Sequence, residues 1–134
     1  MIKKIIASGK RKTAVARAIL TEGSGKITIN EKNYEHLQIF DRLKIAEPLK
    51  IVEKSLGKIN FNALINVKGG GQRSQIDAAR IALSKAIINF LDSKELEDAF
   101  LNYDRNLLVA DVRRKEAYKP GDSKARSKRQ TSYR

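Results

Sequence analysis

The sequence has no cysteine, a single histidine and no long apolar segment among its 134 residues. Without cysteine the chain can form neither a disulfide framework nor a thiolate metal site, which fits a reducing cytoplasm. No apolar run approaches the roughly 20 residues that a membrane span needs, so we expect no membrane partner. The N-terminus lacks the apolar stretch and cleavage site of a signal peptide. We therefore expect a cytoplasmic protein of one domain that starts at or near Met1.

Residue patterns typical of catalysis are also scarce. His36 has no pair of carboxylates beside it at metal-ligand spacing, and we interpret it as a surface or packed residue. No Ser/His/Asp set and no carboxylate pair stands out along the chain. The sequence thus predicts no enzyme, no metal or cofactor site and no small-molecule substrate.

The basic residues are concentrated at the two ends of the chain. The net charge of +13 comes from 28 Lys and Arg against 15 Asp and Glu. Residues 1–17 carry +6 without one acidic side chain, residues 112–134 carry +7, and residues 18–111 are neutral. A dense basic segment repels itself unless a polyanion relieves the repulsion. Two such segments favour a nucleic-acid partner over the alternative of a merely solvated terminus.

Alternating patterns predict strands near the N-terminus. Residues 2–8 have strand composition, and residues 11–20 alternate between two faces. The side chains on one face of the second strand are small enough for a helix to pack closely against them. The other face includes Arg11 and Arg17, which we expect to point outward. The small face consists of Ala14, Ala16, Ala18 and Leu20.

The next segments predict a hairpin and a helix. Residues 23–25 form a turn before a short strand at residues 26–30, which indicates a hairpin with the preceding strand. Residues 31–46 fit no single pattern. A helix is predicted to begin at Pro48, where the missing N–H is no loss, and to stop at Gly57. Its apolar positions are Leu49, Val52 and Leu56.

The clearest strand, residues 59–68, precedes two predicted helices. Ser74 with Asp77, and Asp92 with Glu95, resemble capping boxes at the two helix starts. The apolar stripe of the first helix comprises Ile76, Ala79, Leu83, Ala86, Ile87 and Phe90. The inward residues of the second are Leu96, Ala99, Phe100 and Tyr103.

Three consecutive glycines, Gly69 to Gly71, connect the clearest strand to the first of these helices. They do not complete the phosphate-loop motif, but a glycine-rich turn before a helix N-terminus still offers free N–H groups to a phosphate. The structural alternative is a tight turn that lets two backbones pass closely. Both interpretations stay open, and an RNA phosphate is compatible with both. A nucleotide-handling α/β enzyme would also use such a turn, but no metal-ligand or base constellation accompanies it.

The C-terminal segment has the composition of a phosphate-binding extension. Basic residues recur every one to five positions across residues 113–134, roughly matching backbone phosphates along an extended chain of ~3.3 Å per residue. Pro120 and Gly121 disfavour a helix. Few apolar side chains are present, so we expect disorder without a partner. The sequence therefore predicts a globular RNA-docking domain, residues 1–111, and an extended basic tail, residues 112–134.

Four blocks of the sequence form a recognisable combination. They are SGKRKTAVAR at residues 8–17, VKGGG at 67–71, DVRRKE at 111–116 and QTSYR at 130–134. Together, in spacing and in total length, they resemble the universal small-subunit ribosomal protein S-nine family. The final Tyr-Arg is similar to the archaeal and eukaryotic branch, and the compact length favours an archaeal source. One departure is GDSKAR at residues 121–126, where archaeal relatives usually have a glycine-rich Gly-Pro-Gly-Ala-Arg.

The resemblance implies a fold. It is an α/β (α+β) two-layer sandwich related to the second domain of ribosomal protein S-five, with a mixed sheet of about four strands packed by helices and an extended basic C-terminal tail. It also implies a left-handed βαβ crossover, although parallel crossovers are right-handed in ~98% of cases.

The resemblance further implies a function in translation. Family members are structural constituents of the small ribosomal subunit, bind ribosomal RNA in its head beside other ribosomal proteins, and reach transfer RNA in the peptidyl site with the C-terminal tail. The residues expected to bind transfer RNA are Lys128, Arg129, Tyr133 and Arg134. The residues expected to bind ribosomal RNA are Lys10, Arg11, Lys12, Arg17, Lys68, Gly69, Gly70, Gly71, Arg73, Arg113, Arg114, Lys115, Lys119, Lys124 and Arg126. The alternative is a free-standing RNA chaperone or nucleic-acid-compacting protein, which would use the same charges without a fixed site.

Overall fold

A mixed sheet with helices on one side forms the protein. The computed structural model describes residues 3–121, 125 and 126. The strands are Lys4–Arg11 (β1), Ala14–Glu22 (β2), Ile27–Ile29 (β3), Lys32–Asn33 (β4) and Phe61–Lys68 (β5). The α-helices are Ile39–Leu56 (α1), Gln72–Leu91 (α2) and Lys94–Tyr103 (α3), with single 3₁₀ turns at Tyr34–His36 and Arg105–Leu107. The predicted α/β two-layer class with a mixed sheet is confirmed.

The strand order of the sheet is β1-β2-β5-β3-β4. Strand β2 pairs antiparallel with both β1 and β5, β3 runs parallel to β5, and β4 is antiparallel to β3. The predicted hairpin between residues 11–20 and 26–30 is therefore wrong, because β5 lies between these strands. The turn after β2 instead wraps the end of β5. The Oδ1 atom of Asn62 accepts hydrogen bonds from the backbone N–H groups of Ser24, Gly25 and Lys26 at 3.0–3.2 Å.

The N-terminal hairpin joins β1 to β2 instead. Its two-residue turn has Lys12 in the left-handed region, with φ of 53°, and brings Arg11 opposite Ala14. The turn interrupts the predicted alternation between Arg11 and Arg17. Arg11 consequently lies at the end of β1 on the side of the helices, whereas Arg17 is exposed on the opposite face of the sheet.

The small face of β2 is buried, as predicted. Ala14, Ala16, Ala18 and Leu20 have no exposed surface, and helix α2 packs on β1 and β2. The contact is close, because a Cβ atom on Gly9 would lie 2.5 Å from the carbonyl oxygen of Ala78 in α2. The predicted apolar stripe of α2 is buried in full. The alternating strand pattern and the helical stripe thus define the two sides of one core.

Helix α1 begins earlier than predicted. It starts at Ile39 within the segment that fitted no pattern, so Pro48 lies inside the helix and not at its first position. The buried face of α1 around Ile45, Leu49 and Val52 holds Pro48 against the core, which outweighs the unfavourable position of a proline within a helix. The predicted stop is correct, because Gly57 adopts φ of 78° and its N–H donates to the Glu53 carbonyl at 2.7 Å. Leu56 is exposed, contrary to prediction.

The starts of α2 and α3 differ from the predicted capping boxes. The N-cap of α2 is Gly71, without a side-chain cap. Asp92 ends α2, and Ser93 caps α3 by accepting from the Leu96 N–H at 3.3 Å. Each predicted capping box rests only on a polar residue followed three positions later by an acidic one. That spacing also occurs inside a helix, as at Ser74, and at a helix end, as at Asp92.

The inward side of α3 is narrower than predicted. Leu96 and Phe100 are buried, and Ala99 is partly exposed. Tyr103 is exposed. After the turn at Arg105–Leu107, residues 112–121 are exposed and form neither helix nor strand. The division of the chain after residue 111 stays a prediction. No helix within the described residues is both long and apolar enough to cross a membrane.

Candidate nucleic-acid interface

The side of the sheet away from the helices presents a continuous surface, here termed the open face. It consists of the outward side chains of β1, β2 and β5, whose alternate residues are exposed or half-exposed. The strand register aligns these side chains in rows across the three strands. The rows are Lys10–Val15–Lys68, Ser8–Arg17–Asn66, Ile6–Ile19–Leu64 and Lys4–Thr21–Asn62.

The first two rows carry a cationic cluster. Lys10, Arg17 and Lys68 come from three different strands and are exposed. Within the described part of the chain, none of them forms an ion pair. Three uncompensated cations on one face create a positive potential that attracts a polyanion. The structure thus brings three of the predicted RNA-binding residues together.

An apolar row borders the cationic cluster. Ile6 is 60% and Leu64 is 43% exposed, and both lie beside Ile19 in adjacent strands. This row is not predicted from the sequence, although Leu64 breaks the polar face of its strand. Only the register shows that these residues are neighbours, and no local signal in the sequence carries that information. Exposed aliphatic side chains next to cations can contact the apolar parts of nucleotides while the cations bind phosphates.

The glycine turn combines close packing with an open helix end. Gly69 and Gly70 adopt φ of 79° and 66°, and a Cβ atom on Gly69 would lie 2.6 Å from the carbonyl oxygen of Thr13. Close backbone approach therefore accounts for these two glycines. Gly71 faces open space, and the first turn of α2 has no side-chain cap, so the phosphate interpretation stays a prediction there. Arg73 is exposed in that same turn.

A chain of alternating charges lies on the helix side of the sheet, and we term it the charge network. It runs from Arg113 through Asp111, Arg11 and Asp77 to Lys44. Arg113 Nη2 lies 2.6 Å from Asp111 Oδ2, and Arg11 forms an ion pair with the same oxygen. Arg11 Nε is 3.8 Å from Asp77 Oδ2, while Lys44 Nζ is 3.1 Å from Asp77 Oδ1. The network thus spans four separate parts of the chain.

The side chains at the centre of this network are largely buried. The side chains of Arg11 and Asp111 are 18% and 17% exposed. Hydrogen bonds from the Arg113 side chain and backbone N–H, joined by the Arg11 guanidinium, hold the pKa of Asp111 well below its ordinary value. Asp111 is therefore ionised at neutral pH. Arg11, a predicted RNA-binding residue, already has two acidic partners inside the protein.

The other predicted site residues are distributed along the tail and the hairpin turn. Lys12 is exposed in the turn between β1 and β2. Arg114, Lys115 and Lys119 are exposed, Lys115 lies over the ring of Tyr118 at 4.6 Å, and Arg126 pairs with Glu116 at 2.8 Å. The predicted positions outside the described residues are Lys124, Lys128, Arg129, Tyr133 and Arg134.

A two-layer α/β domain with a cationic open face is typical of RNA-binding proteins with an exposed sheet. Comparison with known proteins identifies the family. The model of the family described as ribosomal protein S9/S16 matches residues 9–134. The chain belongs to this ribosomal protein family.

Similar proteins cover nearly the whole chain. Small ribosomal subunit protein uS9 of Methanococcus vannielii is 49% identical over 136 residues, spanning 99% of this chain and 100% of that protein. The protein of the same name from Thermoplasma volcanium is 47% identical over 131 residues, spanning 97% of this chain and 98% of that protein. The Picrophilus torridus protein is also 47% identical, with 97% of each chain covered. These relatives are archaeal, in agreement with the branch predicted from the Tyr-Arg ending and with the archaeal source predicted from the compact length.

Proposed function

We propose that the protein is a structural, non-enzymatic constituent of the small ribosomal subunit, where it binds ribosomal RNA. Family membership supports this role, as do relatives named small ribosomal subunit proteins that match along nearly the full chain. The observation that carries the RNA contact is the cationic cluster of Lys10, Arg17 and Lys68 on the open face. As a subunit component, the protein acts in the cytoplasm.

The open face would dock against ribosomal RNA in the head of the subunit. Its cations come from strands that are hydrogen-bonded to one another, so the spacing of their backbone positions is fixed before binding and only side-chain ordering entropy is lost. The open turn of α2 at Gly71 and Arg73 would offer N–H groups and a cation to a further phosphate. Exposed cations between residues 113 and 119 would extend the contact along the tail.

The tail has a second proposed target, the anticodon stem-loop of transfer RNA in the peptidyl site. Lys128, Arg129, Tyr133 and Arg134 would neutralise phosphates there and hold the transfer RNA in register. The support is the +7 charge of residues 112–134 and the QTSYR ending that resembles the family. The tail contributes no reacting group to this contact.

Neighbouring proteins of the subunit head are a third class of partner. Apolar side chains at the start of α1 remain uncovered: Ile39 is 63%, Phe40 is 80% and Leu43 is 45% exposed. A contiguous apolar patch on an otherwise charged surface is typical of a protein contact.

Truncation tests this division of roles. Deleting residues 128–134 removes cations but no described core residue, so folding and incorporation into the subunit should stay nearly intact. Binding of transfer RNA to the peptidyl site of subunits reconstituted with the truncated protein should be weaker. The matched variant, Lys10→Ala with Arg17→Ala and Lys68→Ala, should weaken incorporation instead. The proposal is wrong if the truncated chain fails to fold or to join the subunit.

Sedimentation separates this role from that of a free-standing RNA chaperone. A ribosomal protein travels with the small subunit in a gradient of native lysate, whereas a chaperone or compacting protein stays near the top. Salt dependence would not distinguish the two, because salt weakens phosphate binding by both.

A further inference from the structure

The charge network connects the start of the basic tail to the body of the domain. Asp111 is the last residue before the segment with +7, and its carboxylate pairs with Arg11 at the end of β1. Arg11 in turn approaches Asp77 of α2, which Lys44 of α1 also contacts. One carboxylate thus links the tail, through a single arginine, to the sheet and to both long helices.

We propose that Asp111 and Arg11 form a latch that sets the direction in which the basic tail leaves the domain. Arg11 is then a positioning residue for the tail and not an RNA contact, despite its place in a basic sequence block. The consequence for transfer-RNA binding rests on the function proposed above. The latch itself concerns only this chain.

Burial distinguishes this pair from ordinary surface ion pairs. The side chains of Arg11 and Asp111 are less than one-fifth exposed, so their attraction is screened less than that of solvated charges. By contrast, the side chain of Arg126 is 87% exposed in its pair with Glu116, and such pairs stabilise little. Arg113, 79% exposed, completes the hydrogen bonds of Asp111 from the solvent side. Because Arg113 belongs to the tail itself, only the inner pair connects the tail to the sheet.

A second arginine fixes the segment just before the latch. Arg80 of α2 pairs with Glu47 of α1 and, at 3.4 Å, with Asp104, which begins the turn at Arg105–Leu107. Leu107 in that turn is fully buried. The chain is therefore held at residues 104–107 and again at residue 111, and the exposed tail begins directly after the second point. Two fixed points define a direction, which one point could not.

A distance measurement on the free, full-length protein tests the latch. Because the chain has no cysteine, spin labels can be placed uniquely at Lys50→Cys on α1 and Arg114→Cys in the tail, both exposed positions. Pulsed electron resonance should give one narrow distance distribution for the doubly labelled parent. Although the sequence predicts disorder along the tail, Arg114 lies only three residues after Asp111, where the latch would hold the chain. Asp111→Asn, which keeps the shape but removes the charge, should broaden the distribution and shift its centre.

Three further variants separate latch loss from a general effect. Arg11→Gln should broaden the distance distribution as Asp111→Asn does. The distribution of the double variant should be no broader than that of either single variant, because both substitutions remove the same Arg11–Asp111 ion pair. Asp111→Glu, which keeps the charge, should restore much of the narrow distribution. Glu116→Gln, which removes an exposed ion pair of the tail, should leave the parent distribution unchanged.

Two results would overturn the latch. One is a parent-like distribution in both Asp111→Asn and Arg11→Gln. The other is unfolding of Asp111→Asn by circular dichroism, because Asp111 would then be required for folding and not for tail position. In reconstituted subunits, Asp111→Asn should lower peptidyl-site transfer-RNA affinity several-fold. If the distances broaden while that affinity stays constant, the latch stands but its contribution to transfer-RNA binding fails. The role of the tail itself is tested separately, by the deletion of residues 128–134.

Discussion

The carbonyl oxygen of Thr13 lies only 2.6 Å from the position that a Cβ atom on Gly69 would occupy. The hairpin turn between β1 and β2 is thereby packed against the turn between β5 and α2. Both turns border the open face, so the glycine sets how close two parts of the proposed RNA interface can come.

Gly69→Ala should destabilise the protein, because alanine at φ of 79° is strained and its methyl group meets backbone that cannot rotate away. We expect a loss of about 2–4 kcal/mol in the free energy of unfolding, measured by urea denaturation. Gly71→Ala is the control. Its Cβ meets nothing within 4 Å, and an N-cap alanine in place of glycine costs no more than about 1 kcal/mol. Equal losses in both variants would contradict the packing argument.

The small face of β2 should not tolerate enlargement. Ala16→Leu inserts a bulky side chain between β2 and α2, and overpacking of this kind costs about 1–3 kcal/mol. Val15→Leu, one position away and 37% exposed on the open face, should change stability by no more than about 0.5 kcal/mol. Thermal unfolding followed by circular dichroism distinguishes the two. A tolerated Ala16→Leu would mean that α2 can shift on the sheet.

The cationic cluster should account for a measurable part of the salt dependence of RNA binding. Replacing Lys10, Arg17 and Lys68 with alanine should reduce the slope of log affinity against log salt. The expected reduction is about 0.7–0.9 for each phosphate that the variant no longer neutralises. Titration with a fragment of small-subunit ribosomal RNA at several salt concentrations gives this slope.

A charge-matched variant provides the control for that measurement. Lys50, Lys54 and Lys94 are exposed on the helix layer, so replacing them with alanine lowers the net charge equally without touching the open face. The two triple variants should differ clearly in slope. Identical slopes would mean that RNA responds to total charge and not to the open face.

Acid should weaken the contribution of Asp111 to stability. Its pKa in the folded protein is held below the ordinary value of 3.8, so the ionised carboxylate stabilises the folded state above that pH and the contribution disappears as pH falls further. The free energy of unfolding of the wild type should therefore exceed that of Asp111→Asn by a constant amount above about pH 5. This difference, the gap, should become smaller in more acidic solution. Urea unfolding across this range measures the gap, and a gap independent of pH would exclude the charge as its cause.

Patterns of burial could be predicted from the sequence because they are local. The alternation along residues 14–20 and the stripe of α2 each depend on residues within one element, and both are confirmed. The position of β5 between β2 and β3 could not be predicted. It depends on pairing with distant strands and on hydrogen bonds from Asn62 to a turn far away in sequence. The prediction for Pro48 is wrong for a related reason, since the core contact that tolerates it involves other elements.

The candidate site could be predicted only in part from the sequence. Charge sorting located the basic segments, but assigning Arg11 and Arg17 to one face ignored the turn at Lys12, after which the alternation restarts. The pairing of Arg11 with Asp111 joins residues at opposite ends of the domain, and charge counts carry no information about such pairs. A basic block in a sequence therefore mixes cations available to RNA with cations already paired inside the fold.

The central position of β5 has a consequence for synthesis of the chain. The β1–β2 hairpin leaves the ribosome long before β5 and α2, which supply its sheet neighbour and the cover of its small face. Until α2 is complete, the nascent chain carries a cationic hairpin with one uncovered apolar side, and such a segment is prone to aggregate or to bind RNA prematurely. We therefore expect this chain to acquire its fold late in translation, in a single step that begins when α2 emerges.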